Sequence, residues 1–238
     1  MYGLGALESA IGLQRELCVL FTGDLETARL GAAGIPGSIV RSFLCWFLTE
    51  VGSYDEGLIL VERAIDIATT QGEPYSELLA LLAKSGNLRR QKRYSEAIAC
   101  LEYGLGLIER NGYDVILPHI LGTRAIALAR SGEGPRAVRD IEARLNSERE
   151  NRAGPLELYY LNAGYAEALS AAGDVRRGLA TADRAVEISR SVSNPCLMAH
   201  SLGLRARLRV LLHDANGSDR DLAEQRDLCS RYGIVAET

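Results

Sequence analysis

The residues able to do chemistry are present, but their spacing does not assemble a reaction centre. The three histidines, His119, His200 and His213, fall in different segments. None belongs to an H-E-x-x-H pair, which would set two imidazoles on one helix face around zinc. The five cysteines, Cys18, Cys45, Cys100, Cys196 and Cys229, are odd in number and include no C-x-x-C. They read as reduced core thiols of a cytoplasmic protein, not as a disulfide framework or a metal site. A phosphate loop would need G-x-x-x-x-G-K-[ST], and a serine hydrolase elbow G-x-S-x-G; the sequence has neither. Gly104-Leu105-Gly106 lacks a third glycine and sits inside a helical pattern, and Gly3-Leu4-Gly5 follows no strand. The expectation is a chain that is not an enzyme, with no catalytic residues, no cofactor and no metal.

Charge narrows the partners. The net charge is -4 and the pI about 5.5, which argues against nucleic acid, whose recognition needs a basic face. The basic run Arg89, Arg90, Lys92 and Arg93 is followed at once by Glu96 and reads as a solvated helix end. No apolar run approaches the roughly 20 residues of a membrane span. Glu8, Arg15 and Glu16 interrupt any signal-peptide core. Asn216-Gly217-Ser218 matches a glycosylation sequon but reads as a turn.

The elements that must position any site are helices. Phe43, Leu44, Phe47, Leu48 and Val51 precede Gly52-Ser53-Tyr54-Asp55-Glu56-Gly57-Leu58, and Leu58, Val61, Ala64, Ile65 and Ala68 follow. Both sets keep the i, i+3, i+4, i+7 spacing of a helix face. Gly52 suits the left-handed end of a helix, and Ser53 is placed to cap the next one. Similar turns recur at Lys92 to Ile98, Gly132 to Val138, Gly173 to Leu179 and Asn216 to Leu222. Aligning Tyr54, Tyr94, Gly134, Val175 and Ser218 gives spacings of 40, 40, 41 and 43 residues, the periodicity of an α-solenoid. Small residues follow three positions on at Gly57, Ala97, Ala137 and Gly178, and ten positions on at Ala64, Gly104 and Ala185. Arg144 breaks the second series. Asp221 breaks the first, a departure that suits the water-facing side of a terminal unit.

The predicted organisation is a leading helix over 1–21, a Gly-rich connector over 22–37 with a short helix near Thr22 to Leu30, five helix pairs over 38–233 and a tail over 234–238. The leading helix, patterned from Leu4 to Phe21, has no earlier helix to pair with. That predicts a chain beginning within a repeat of something longer, and a homodimer or domain swap through this helix.

The pattern G-x-Y-x-E-[AG]-[LI]…A, clearest at Gly52 to Ala64, Tyr94 to Leu107 and Gly173 to Ile188, resembles the tetratricopeptide repeat. The usual unit is about 34 residues, so each unit here is longer. Long units of this kind resemble the C-terminal arrays of large bacterial signalling proteins, in which a nucleotide cyclase or DNA-binding domain precedes a predicted ATPase and the repeats. The run Gly23 to Ser38 leading into Ser42-Phe43-Leu44-Cys45-Trp46 is similar to the connector of the cyclase group. Cyclase carboxylates and an ATPase phosphate loop are absent from the sequence.

The resemblance implies an all-α, right-handed superhelix of antiparallel helix pairs whose first helices line a concave groove. By register, that groove offers Trp46, Arg89, His119, Tyr160 and Glu167 as its distinctive groups. Large amphipathic side chains on a concave wall are typical partner anchors; Trp46 reads equally well as core. The Lys/Asn/Arg clamp that grips a C-terminal carboxylate in some relatives is not seen at these positions. The implied function is protein or peptide binding, as a regulatory scaffold of a bacterial signalling protein. The alternative is a small-molecule-sensing module of a cyclase or transcriptional regulator.

Overall fold

A computed structural model describes residues 7–144 and 153–236. Among them the regular elements are eleven α-helices and two short 3-10 turns. The chain divides into two compact units, one ending at Tyr113 and one starting at Asp114. The first holds α1 (Leu7–Leu20), a 3-10 turn (Gly23–Glu26), α2 (Pro36–Glu50), α3 (Tyr54–Thr70), α4 (Pro74–Arg90) and α5 (Tyr94–Asn111). The second holds a 3-10 turn (Asp114–Ile116), α6 (Leu117–Arg130), α7 (Gly134–Arg144), α8 (Pro155–Ala171), α9 (Val175–Ser191), α10 (Pro195–Leu211) and α11 (Ala215–Tyr232).

Local chemistry sets where these helices start. Pro36, Pro74, Pro155 and Pro195 occupy the first position of α2, α4, α8 and α10, and Pro118 the second of α6. At such positions the missing N–H has no helical partner to lose. Asn194 caps α10 by accepting from the N–H groups of Cys196 and Leu197, and Asp174 and Asp214 cap α9 and α11. Ser53 was the expected cap of α3, but its side chain makes no capping bond.

The turns inside the pairs share one geometry. Gly52, Lys92, Gly132, Gly173 and His213 lie two residues before α3, α5, α7, α9 and α11 and have φ of 81°, 61°, 91°, 90° and 61°. The next N–H then reaches back five positions, as from Ser53 to Leu48 and from Asp214 to Arg209, both 2.9 Å. This is the paired C-terminal bond of a Schellman motif, which satisfies carbonyls that would otherwise be orphaned.

Two expectations are corrected here. The fifth turn runs through Leu212, His213 and Asp214, so Asn216 to Leu222 lies inside α11. The second helices therefore begin at Tyr54, Tyr94, Gly134, Val175 and Ala215, spaced by 40, 40, 41 and 40 residues. Ser218, not Asp221, is then the small residue three positions into α11, and it is buried. Asp221 does not meet water. It is 3% exposed and accepts from Arg205 and Arg209.

Packing is mostly between neighbours in the chain. In the first unit α2 packs on α3, α3 on α4, α4 on α5, and α2 also on α4. In the second, α8 packs on α6, α7 and α9, and α10 on α9 and α11. Cys45, Val61, Ala64, Ala80 and Ala83 form one core cluster. Tyr159, Ala163, Ala182, Ala185, Leu204 and Leu208 belong to another. Each fully buried Leu or Ile is worth roughly 1.5–3 kcal/mol of transfer free energy. One polar group is buried on purpose. Asn87 donates to Thr49 Oγ1 at 3.0 Å and to the Tyr54 carbonyl at 3.1 Å, tying α4 to α2 and to the start of α3.

The connector differs in detail from its prediction. Helical structure within Thr22 to Leu30 is limited to the Gly23–Glu26 turn, and α2 starts at Pro36. The segment is anchored at both ends. Glu26 pairs with Arg41 and Arg63, and the Ile35 N–H donates to Ser76 Oγ at 2.9 Å. The expected helix start at Leu4, and the expected break beginning at Asn151, lie outside the described residues.

Candidate functional site

The five groups that the register selects fall in both units. Trp46 and Arg89 belong to the first; His119, Tyr160 and Glu167 belong to the second.

In the first unit Trp46 is half-buried in the C-terminal half of α2 and packs against the cluster of Cys45, Ala80 and Ala83. Phe43, one turn earlier, is 37% exposed, with its ring centroid 5.3 Å from that of Trp46. Gly86 of α4 leaves the indole room; a Cβ there would stand 3.9 Å from Nε1. Trp46 is thus core on one side and surface on the other. Arg89 follows Gly86 by one turn and is half-buried. Cys45 is no nucleophile in waiting, since burial pushes its thiol up to about 12.

In the second unit α6, α8 and α10 bring several groups together. The His119 and Tyr160 rings are stacked, with centroids 3.9 Å apart and planes 8° from parallel. His119 is 5% exposed and Tyr160 half-buried, so the tyrosine is the more accessible member of the stack. Burial pushes the imidazole pKa down to about 3 and keeps the ring neutral. Such close approach depends on glycine. A Cβ on Gly122 would run into the carbonyl of Tyr160, and one on Gly164 into the carbonyl of Gly122.

Two turns beyond Tyr160, Glu167 accepts from Arg130 of α6 at 2.9 Å and from Arg207 of α10. Both donors use the same carboxylate oxygen. The Glu167 and Arg130 side chains are 16% and 15% exposed, that of Arg207 42%. Glu167 is therefore an anion between two cations. Arg130 and Arg207 were not among the expected groups. Arg207 lies eight residues before α11, the register of Glu167 before α9, and appears only when the fifth turn is placed at Asp214.

Elsewhere in the second unit, a shallow open cleft of about 300 Å³ is lined by Arg190, Pro195, Met198, Leu228 and Tyr232 among others. Arg190 there is paired with Glu224. Among the described residues no group of three or more His, Cys, Asp or Glu is placed to hold a metal ion. No described helix is long and apolar enough to cross a membrane. No protein-family model matches the chain, and no curated protein matches it.

Proposed function

We propose that the chain is a non-enzymatic interaction module, an α-solenoid of tetratricopeptide type that serves as a regulatory scaffold in a bacterial signalling protein. A peptide or neighbouring domain docks on the face of the first helices of the pairs. The observation that carries this reading is the outward set on α6, α8 and α10: the Tyr160 ring over His119, and the exposed Arg207 beside Glu167. Partly exposed aromatic and arginine side chains on a rigid helical support are the residue types that dominate binding energy. The five equivalent turns support the repeat architecture. The cyclase-like parent rests on the resemblance of the connector and repeats. Chemical cross-linking in source cells, followed by recovery with wild-type, Trp46→Ala and Tyr160→Ala chains, tests the docking. A partner recovered by the wild type and lost with either variant supports it. Equal recovery by all three sinks it.

A further inference from the structure

We propose that the cleft between α9, α10 and α11 binds a small aromatic acid, whose ring lies on Met198 and Leu228 and whose carboxylate faces Arg190 and Arg231. The site is separate from the docking face. Met198 and Arg207 are nine residues apart on α10, about two and a half turns, so they point to opposite sides of that helix.

The two units allow a comparison within one chain. Helices α3, α4 and α5 start at Tyr54, Pro74 and Tyr94; α9, α10 and α11 start at Val175, Pro195 and Ala215, each 121 residues later. The turns before α4 and α10 match, with φ of 59° at Gly72 and 51° at Ser193. Both α5 and α11 end at a left-handed glycine, Gly112 and Gly233. The residues around the cleft therefore have counterparts in the first unit. Met198 answers to Glu77, Glu224 to Tyr103, Leu228 to Leu107, Arg231 to Arg110 and Arg190 to Thr69.

In the first unit the chain itself supplies a ring. The Tyr103 hydroxyl meets the Glu77 carboxylate, which pushes its pKa up, and feels the Arg110 charge, which acts the other way. In the second unit the ring is gone, and the carboxylate that met its hydroxyl is a thioether. Glu224, in the place of the ring, turns to Arg190, whose Nη2 donates to both of its oxygens at 3.0 and 3.2 Å. A shallow cleft of about 300 Å³ is left, at the small end of ligand sites.

Its walls select the occupant. Leu228 is buried and Met198 half-buried, and a thioether against an aromatic ring is a favourable contact. Arg190 and Arg231 close the rim from the last turns of α9 and α11. Arg190 pairs with Glu224 and Arg231 with Asp227, each through Nη2, and their side chains are 51% and 60% exposed. Arg231 also meets the Tyr232 hydroxyl. Each guanidinium has five N–H groups, so both keep donors for a further acceptor, and their fork matches a carboxylate. Replacing Glu77 by Met198 and Thr69 by Arg190 turns a place that suits a phenol donor into one that suits an anionic acceptor. A ring without an acid would leave the guanidinium edges unused, and an acid without a ring would leave Met198 and Leu228 wet.

The test is a saturation-transfer NMR titration of the full chain with phenylacetate and 4-hydroxyphenylacetate, with phenylacetamide and acetate as controls. Saturable binding of both acids is expected, with a dissociation constant on the order of 0.1–1 mM for ligands of about ten non-hydrogen atoms. Either control should bind about tenfold more weakly. Arg190→Gln should weaken the acids by on the order of tenfold, the worth of one charge-assisted hydrogen bond. Glu224→Tyr, which restores the ring of the first unit, should abolish binding. Glu224→Gln, which releases Arg190 from an exposed ion pair, should tighten it by up to about fivefold. Arg190 and Glu224 are 51% and 41% exposed, so the variants are expected to fold, and circular dichroism checks that they do. No saturable binding of either acid overturns the site. Binding that survives Glu224→Tyr, ignores Arg190→Gln, or is matched by phenylacetamide or acetate overturns it too. None of these results bears on docking at Tyr160.

Discussion

Tyr160 lies flat on His119, with ring centroids 3.9 Å apart, and the imidazole beneath it is held neutral by burial. Its pKa is about 3 in the folded chain and about 6.5 in an unfolded one. Below about pH 6.5 the unfolded chain gains a proton that the folded chain refuses until about pH 3. Stability contributed by the neutral ring is therefore full above about 6.5 and is lost as pH falls through that window, by up to about 1.4 kcal/mol per unit. Urea melts should show the wild type losing roughly 2 kcal/mol between about pH 6.5 and 5, and His119→Phe losing much less. Glu26, whose carboxyl is held low by Arg63 and Arg41, and Glu142, held low by the Tyr165 hydroxyl and then by Arg177, act in the same direction only in more acid solution. Equal pH slopes in the two proteins would refute the assignment.

Two glycines in first helices should respond oppositely to alanine. In Gly164→Ala the new Cβ meets the Gly122 carbonyl, which belongs to a backbone that cannot rotate away. A loss of about 3 kcal/mol is expected, at the upper end for overpacking. In Gly86→Ala the nearest atom is 3.9 Å away on Trp46, an ordinary contact. There the helix gains up to about 1 kcal/mol from the better helix former. Thermal melts of the two variants should bracket the wild type.

The repeat was legible because each turn is a local event. A left-handed residue two positions before the second helix leaves a Gly in the sequence at Gly52, Gly132 and Gly173. Lys92 and His213 adopt the same conformation without that signature. Tyr94 still marked the second turn by its aromatic ring. The fifth had neither signal, so the nearby Asn216-Gly217 pair drew the turn three residues too late. That slip hid Arg207 from the groove register and made buried Asp221 look like a surface residue. Glu167 could be picked out by register. Arg130 lies off that register, and its pairing with Glu167, like that of Arg207, arises only when α6, α8 and α10 pack together.

The same two turns yield a stability prediction. Lys92 and His213 have φ of 61° and carry a Cβ in a region that favours glycine. Left-handed conformation costs a non-glycine residue roughly 1 kcal/mol. Lys92→Gly and His213→Gly should each stabilise the chain by about 0.5–1 kcal/mol despite the looser unfolded state. Gly132→Ala, at φ 91°, should destabilise by at least as much. Shifts in urea midpoint at constant slope measure all three; a destabilised Lys92→Gly would mean that the lysine side chain outweighs its backbone strain.

Asp221 offers the sharpest measurement of a buried charge in the second unit. Its side chain is 4% exposed and takes a two-pronged bond from Arg205, at 2.7 and 2.8 Å, and one from Arg209 at 2.8 Å. Asp221→Ala removes the central anion and leaves guanidinium groups that are 12% and 19% exposed short of their main acceptor. Breaking a buried pair from one side costs about 3–5 kcal/mol. Here the lower end is expected, since Arg205 keeps Asp183 at 3.0 Å and Arg209 keeps the Gly217 carbonyl at 2.9 Å. Asp221→Asn, which preserves shape but not charge, should fall between alanine and wild type. A cycle with Arg205→Met should return a coupling of on the order of 1–3 kcal/mol, as residues in one network do. Additive losses would mean that Arg205 and Asp221 contribute packing alone.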